Sequence, residues 1–345
     1  MRLTHRVKRL AATVTAAAAL FFGADQAAMA ASVRVGYIPV LGSSALFVLD
    51  GKGWAKDAGI DLELVRFSSG PQAIQALVSG RIDAYVAGIL PLLQVRSHGT
   101  DVKVMATGAI EELSVVARGA FAAGIPQDGP SAEPLAGRIA AFTKAQGRRL
   151  RIAAQPEGSV PDTLLRFWLT QKEKQDISSV EIVGLGIDAA QQAFLAGAVD
   201  AAVLREPALT VIRSRLPETR TLATGHDMLP DQPGSVLAIL RPSSPEHAAW
   251  AAKLTGLFVK ATAFVSAHPD EAAPYVSKEL GAGLLGPDVI ARALRASADG
   301  FVSDPARIVA GTKALQDFEV SRGLLRSAAP VEDLFDLVTW RQAAP

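Results

Sequence analysis

Apolar residues along the chain fall into short runs separated by amphipathic segments, and one such unit occurs twice. The sequence AIQALVSGRIDA covers Ala73–Ala84 and AQQAFLAGAVDA covers Ala190–Ala201, so each residue of the second copy lies 117 positions after its counterpart. Each copy follows an apolar run, has apolar positions at helical spacing and leads into another apolar run, which indicates strand, helix and strand. Gly80 and Gly197 stand where a helix ends in a left-handed residue. The pattern predicts a βαβ crossover made twice, with chance self-matching of alanine-rich sequence as the alternative.

Two such crossovers predict an α/β protein with two lobes, each with its own mostly parallel sheet. We expect residues 31–118 to form the first part of lobe 1, residues 119–236 to form lobe 2, and residues 237–345 to form a strand that returns to lobe 1 and a helical tail. A loop rich in Gly, Pro and Ala, Ala120–Pro134, lies near the first passage between the lobes. The tail is predicted from amphipathic segments separated by proline or glycine, at 245–267, 269–280, 287–298, 305–318 and 331–341.

Residues 1–30 have the pattern of a secretory signal peptide rather than of a folded domain. A basic start is followed by the apolar stretch Leu10–Phe22, which is too short to span a bilayer as a stable anchor. Ala28-Met29-Ala30 then supplies a small-x-small cleavage site. We therefore expect cleavage after Ala30 and a soluble mature protein in the periplasm, with an uncleaved N-terminal anchor as the alternative.

Composition narrows the function classes further. The 345-residue chain carries 35 basic and 34 acidic residues, a formal net charge of +1, which gives no argument for a nucleic-acid partner. It contains no cysteine, so an exported form would have neither a disulfide nor a thioether-linked lipid. None of the five histidines lies at metal-ligand spacing, and nucleophile-elbow, phosphate-loop and dinucleotide motifs are absent. The sequence therefore predicts no metal, no cofactor and no enzyme.

Four loops at the carboxyl ends of predicted strands are the main candidates for a binding site, because ligands of open α/β sheets bind at those ends. Each loop contains small residues and leads into a helix N-terminus, whose unpaired N–H groups and partial positive charge favour an anion. Any single serine among them could simply cap its own helix. The predicted ligand-binding residues in these loops are Pro39, Leu41, Gly42, Ser43, Ser44, Ser69, Gly70, Gly88, Ile89, Gly158 and Ser159.

Three charged residues complete the predicted site. Arg205 and Glu206 follow the strand after the second copy of the repeat, where the first copy is followed by Gly88-Ile89. The arginine could hold an oxyanion and the glutamate an amine or hydroxyl group, although the two could equally form a pair that fixes the edge of the lobe. Glu111, one of two adjacent glutamates at the mouth of a strand, is a further candidate, with solvated loop charge as its alternative interpretation.

Several of these segments together resemble one known family. The sequences VRVGYIP, FSSGPQAIQALVSGRIDA, GSVPDTLLRFWL, AFLAGAVDAAV and EPA are similar to those of the nitrate/sulfonate/taurine group of periplasmic solute-binding proteins of ABC importers, which includes binders of the thiamine pyrimidine precursor. The resemblance spans Val33–Leu240. It implies a type II periplasmic-binding fold: two βαβ lobes, a cleft between them and a C-terminal helical tail on lobe 1. It also implies a monomer that captures a small-molecule ligand by hinge closure and delivers it to a membrane permease driven by a separate ATPase.

The chain departs from that family at one informative position. Members usually have a tryptophan directly before the Glu-Pro, where this chain has Arg205. The change favours a polar or anionic group at this wall, and we expect a small organic anion such as a sulfonate, taurine or nitrate. Two other functions stay open. One is a periplasmic sensor subunit that presents its ligand to a receptor; the other is an enzyme on the same fold, as in pyrimidine-precursor synthases, which depend on cysteine- and histidine-rich metal chemistry.

Overall fold

The computed structural model describes residues 30–127, 133–281 and 285–344, so the predicted signal peptide up to residue 29 lies outside the described residues, as do residues 128–132 of the Ala120–Pro134 loop. Two five-stranded sheets form in the described part of the chain. The first contains β1 Ala31–Tyr37, β2 Ile60–Arg66, β3 Ala84–Gly88, β4 Val102–Thr107 and β10 Ser235–Leu240, in the order β2-β1-β3-β10-β4. The second contains β5 Leu113–Ala117, β6 Leu150–Ala154, β7 Val180–Gly184, β8 Ala201–Arg205 and β9 Arg220–Thr224, in the order β7-β6-β8-β5-β9.

Helices cover the faces and ends of both sheets. In the first half of the chain they are α1 Ser44–Gly51, α2 Trp54–Asp57, α3 Gly70–Val78, α4 Leu90–Ser97, α5 Gly119–Ala122, α6 Leu135–Gln146 and α7 Val160–Phe167. The remaining helices are α8 Ile187–Ala196, α9 Ala208–Arg215, α10 Gly225–Met228, α11 Pro245–Ala267, α12 Pro269–Gly281, α13 Pro287–Ala296, α14 Val309–Ser321 and α15 Leu337–Ala343.

The two sheets have the same plan. In each, three strands run parallel, and a fourth strand lies antiparallel beside the third: β10 in the first sheet and β5 in the second. Because helices cover both faces, the central strands are continuous apolar runs rather than alternating ones. All five residues of β3 and of β8 are buried, for example. The predicted α/β fold with two βαβ units is confirmed.

The order of the strands corrects the predicted lobe boundaries. Residues up to 118 were expected in lobe 1, but β5 pairs with β8 and β9 of the second sheet. The strand expected to return to lobe 1 from residue 237 is β10, which begins already at Ser235 and pairs with β3 and β4. The chain therefore passes between the sheets in two stretches, the first crossing segment (residues 108–112) and the second crossing segment (residues 225–234). An apolar strand has the same pattern in either sheet, so sequence alone did not assign β5 to the second sheet.

The repeat found in the sequence has a structural counterpart in both lobes. Gly80 and Gly197 follow the ends of α3 and α8 with φ angles of 70° and 75°, the left-handed conformation that glycine adopts most easily. The offset of 117 residues extends beyond the repeat to Arg34 in β1 and Arg151 in β6. In each lobe the aspartate of the repeat accepts a hydrogen bond from the backbone N–H of that arginine, at 2.9 Å for Asp83 and 3.0 Å for Asp200. The repeat aspartate therefore joins the third parallel strand to the first in the same way twice.

We expect removal of either aspartate to destabilise its lobe. Asp83→Ala or Asp200→Ala leaves a backbone N–H of a central strand without its acceptor, so each should lower the free energy of unfolding by about 1–3 kcal/mol in urea titrations. Burial opposes ionisation of Asp200, but hydrogen bonds from Arg148 and Arg151 outweigh it and hold its pKa below the ordinary value. Asp188→Ala is the matched control, because this carboxylate is 72% exposed and should contribute under about 1 kcal/mol. Equal losses in all three variants would contradict this role.

The longest helix, α11, has 23 residues and is apolar enough to cross a membrane by length and composition. In the described structure it is a core helix of the first lobe, where Leu254, Phe258 and Val265 are fully buried. It is the first helix of the predicted tail, and a later one, α14, packs against α7 of the second lobe through a ring contact of 5.4 Å between Phe318 and Phe167. The tail therefore contacts both lobes.

Candidate functional site

A small cavity of about 10 Å³ lies where the carboxyl ends of the parallel strands of the two sheets face each other. It brings together four of the predicted binding residues, Gly70 and Gly88 from the first lobe and Ser159 and Arg205 from the second. Such a volume holds about one water molecule. In this arrangement of the lobes, the small cavity has no room for a larger solute. The other lining residues are Ile38, Pro91, Gln155, Val160 and Pro161.

Gln155 was missed by the sequence analysis, although a signal for it was present. It is buried, directly follows β6 and lines the cavity. Its counterpart at the repeat offset is Ile38, which directly follows β1 and lines the same cavity. Extending the repeat from its helix back to the preceding strand would have selected both residues.

The serines of the predicted loops differ in what their side chains do. Ser159 caps α7, because its Oγ accepts a hydrogen bond of 3.4 Å from Asp162 N. The Oγ of Ser43 donates to Ile38 O at 2.8 Å and ties the loop together. Ser69 precedes α3 without capping it, and Ser44 Oγ is buried with no partner among the residues that the structure describes. Helix capping thus accounts for Ser159 alone among these four.

Arg205 is the charged residue of the cavity, and its partner differs from the one expected. Its side chain is 5% exposed and forms an ion pair with Glu112 of the first crossing segment, which is 10% exposed. The same Glu112 carboxylate accepts a hydrogen bond of 3.1 Å from Ser235 Oγ. The Nε of Arg205 is buried and has no hydrogen-bond partner in the described part of the chain. Of the three guanidinium nitrogens, Nη1 is therefore paired with Glu112, while Nε has no acceptor among the described residues.

Glu206 does not pair with Arg205. Its carboxylate accepts a hydrogen bond of 2.8 Å from Thr210 N at the start of α9, and Arg213 lies 3.9 Å away. Burial raises the pKa of Glu206, and the hydrogen bond from Thr210 opposes that rise. The backbone carbonyl of Glu206 accepts a hydrogen bond of 3.2 Å from Leu41 N, a direct contact between the lobes.

Glu111 belongs to the crossing between the lobes. It has a φ angle of 51°, an unusual value for a residue with a side chain. Its carboxylate accepts a hydrogen bond of 2.6 Å from Asp231 N and lies 3.0 Å from His226 Nδ1, both in the second crossing segment. The hydrogen bond to Glu111 is the main reason that the pKa of His226 is raised. This residue therefore fastens the two crossing segments to each other.

A second cavity, of about 340 Å³, lies beside the crossing segments and contains other predicted residues. Leu41, Gly42, Glu111 and Glu206 line it, together with Glu112. Since Glu112 lines this larger cavity and its partner Arg205 lines the small one, the ion pair lies between the two. The remaining predicted residues are buried and line neither cavity: Pro39, Ser43, Ser44, Ser69, Ile89 and Gly158.

The lobes touch at several points along the cleft. Arg66 and Asp188 form an ion pair of 2.6 Å at one edge, and Arg322 of the tail lies 2.9 Å from Glu157 at another. A Cβ added to Gly88 would lie 2.9 Å from Val160 Cγ2 of the opposite lobe, and one added to Gly158 would lie 2.4 Å from Gln94 Nε2. Glycine at these positions lets the lobes approach, and the contacts describe a closed cleft.

Solved structures of binding proteins share this architecture. The alkanesulfonate-binding protein SsuA from Xanthomonas axonopodis pv. citri, bound to MOPS, superimposes with a TM-score of 0.69 at 21% identity, covering 90% of this chain and 99% of that chain. The periplasmic nitrate-binding protein NrtA from Synechocystis PCC 6803 superimposes with a TM-score of 0.75 at 14% identity, covering 90% and 88%. A putative aliphatic sulfonates-binding protein from Bacillus subtilis is 26% identical over 250 residues, 71% of this chain and 68% of the relative.

The fold and the cleft define the class, a solute-binding protein of an ABC transporter with a periplasmic-binding fold. The relatives named above are binding proteins rather than enzymes. The model of the NMT1-like family matches residues 26–280, and the chain belongs to that family, the nitrate-, sulfonate- and taurine-binding proteins of ABC transporters. The family expected from the sequence is confirmed.

Proposed function

We propose that this chain is the extracytoplasmic solute-binding component of an ABC importer, which captures a small organic anion in the cleft by hinge closure and delivers it to a permease. The observation that carries the proposal is the small cavity lined from both lobes, in which Arg205 meets loops that begin helices. A solute held there would contact both lobes at once and so stabilise the closed form. Binding that depends on closure is how such proteins present a loaded form to a transporter.

An anionic head group fits the chemistry of this cleft. Helices α3 and α7 begin at the cavity, with Gly70 and Val160 as their first residues. Helix N-termini offer N–H groups and partial positive charge, and Arg205 adds an Nε–H that has no acceptor in the described part of the chain. The names of the relatives mention aliphatic sulfonates, alkanesulfonate and nitrate, which are all anions. These points support an anion without selecting one.

Location outside the inner membrane follows from the same proposal. The signal-peptide pattern of residues 1–30 directs export with cleavage after Ala30. The Synechocystis relative is described as periplasmic, and so is the aliphatic sulphonate-binding protein from Escherichia coli, which superimposes with a TM-score of 0.65. The partners of the mature protein would be its ligand, the permease and the ATPase.

A thermal-shift screen of the mature protein, from Ala31 onward, tests this function. The panel contains alkyl sulfonates, taurine, nitrate, bicarbonate, aromatic carboxylates and the thiamine pyrimidine. A true ligand at a hundred times its dissociation constant stabilises the folded protein by about 2.7 kcal/mol, a clear shift in melting temperature. One anion class should give this shift. No shift with any compound, for protein shown by native mass spectrometry to be free of co-purified ligand, would contradict the proposed ligand class.

A further inference from the structure

The carboxylate of Glu112 occupies a site that the surrounding backbone leaves open for it. It contacts Arg205 and Ser235, and all three side chains are at least nine-tenths buried. A Cβ on Gly42 would lie 2.2 Å from Glu112 Oε2 and 2.4 Å from Ser235 Oγ. The absence of a side chain at Gly42 thus makes room for the carboxylate, which indicates a built position rather than a loose surface charge.

The partners of this carboxylate are those that an anionic solute would use. A guanidinium and a serine hydroxyl are strong donors to an oxyanion, and the loop that begins α1 lies against the carboxylate at Gly42. Glu112 therefore pairs with Arg205 as an anion that the protein itself supplies. A second anion arriving at Arg205 meets a guanidinium whose charge is already neutralised and a carboxylate of its own sign at close range.

We propose that Glu112 is the specificity-determining residue of this cleft, because it competes with the solute for Arg205. The inference rests on the proposed function and deepens it. A simple anion must share the guanidinium with Glu112 or displace it and leave a buried carboxylate unpaired. A solute with a cationic group beside its anionic group avoids both costs, since the cation can pair with Glu112 while the anion contacts Arg205. Glu206, which lines the same 340 Å³ cavity as Glu112, strengthens that preference.

Two ligands that differ by one amino group distinguish a simple anion from a solute that also carries a cationic group. Taurine and ethanesulfonate share a sulfonate on a two-carbon chain, but only taurine carries an ammonium. We expect isothermal titration calorimetry to show that wild type prefers taurine. Glu112→Gln keeps the size of the side chain and removes its charge, so it should raise the affinity for ethanesulfonate about tenfold, equivalent to about 1.4 kcal/mol, and reduce the preference for taurine.

Matched variants control for charge and folding. Glu181→Gln makes the same change in net charge on β7, where Glu181 pairs with Arg151 on the surface, and should leave both affinities unchanged. Ser235→Ala keeps Glu112 charged but removes one of its donors, so it should raise the ethanesulfonate affinity by a smaller factor. If Glu112→Gln is too unstable to titrate, Ser235→Ala carries the test alone. An unchanged or weaker ethanesulfonate affinity in these variants overturns the inference and makes Glu112 a residue that positions Arg205.

The outcomes also separate this inference from the proposed function. If wild type binds either sulfonate and Glu112→Gln does not strengthen ethanesulfonate binding, the inference fails while the function stands. If neither sulfonate binds any variant, the inference fails as well, and a thermal shift with nitrate, bicarbonate or a carboxylate still upholds the function. Only a panel without any ligand contradicts both.

Discussion

Arg205→Ala should lower the free energy of unfolding by about 3–5 kcal/mol and also weaken the binding of an anionic solute. The stability loss arises because Glu112 would stay buried without its partner, and an uncompensated buried charge is among the costliest defects in a folded protein. The loss of a charged hydrogen bond to the solute should weaken binding by about 1.5–3 kcal/mol. Urea unfolding and calorimetry measure the two effects separately.

A double variant shows whether the unpaired charge of Glu112 causes the loss of stability. Arg205→Ala combined with Glu112→Ala removes both charges, so it should be more stable than Arg205→Ala alone. Arg295→Ala is the exposed counterpart, because Arg295 is 49% exposed and its partner Asp270 is 70% exposed, and it should change stability by under about 1 kcal/mol. If Arg205→Ala lowers the free energy of unfolding no more than Arg295→Ala does, the buried ion pair is no more important for stability than an exposed one.

Gly42→Ala should destabilise the folded protein by about 1–3 kcal/mol, because the added methyl group has no free space. Its Cβ would lie 2.2 Å from Glu112 Oε2 and 2.4 Å from Ser235 Oγ, and the ion pair and a β-strand fix both neighbours. Solute binding should weaken as well, because the same loop faces the cleft. Urea unfolding and calorimetry measure the two losses.

Gly286→Ala is the matched control for that substitution. Gly286 has a φ angle of −65°, which any residue adopts, and no atom would lie within 4 Å of its Cβ. The control should leave stability and binding unchanged within about 0.5 kcal/mol. If Gly42→Ala behaves like Gly286→Ala, then the packing around Glu112 is loose and its carboxylate does not occupy a built position.

Sequence patterns predicted the parts of this protein that local physics determines. The doubled βαβ unit, its glycine turns and the helices of the tail follow from periodicity, because each element must bury one face. The offset of 117 residues even relates the arginine and aspartate pairs that close the two lobes in the same way. Loops that follow strands and begin helices were also recognisable, and three of their residues, Gly70, Gly88 and Ser159, line one cavity together with Arg205.

Pairings between distant segments were beyond the sequence. Glu112 lies 93 residues from Arg205, and nothing in their spacing indicates that they meet. Of the two adjacent glutamates, the sequence analysis chose Glu111. The backbone angle of Glu111 directs one carboxylate to the crossing and the other to the cleft, and the sequence does not predict that angle. The place of β5 in the second sheet was missed for the same reason, since it is an ordinary apolar strand.

The most direct test of the account is a distance measurement across the cleft. Because the chain has no cysteine, Gln75→Cys and Gln192→Cys introduce two unique labelling sites. They are exposed, equivalent positions on α3 and α8, one in each lobe. Double electron–electron resonance of the spin-labelled pair should give a longer and broader distance distribution for the free protein, and the ligand from the thermal-shift screen should shift it to one short distance that matches the closed cleft. An identical distribution with and without a bound solute would contradict capture by closure of the lobes.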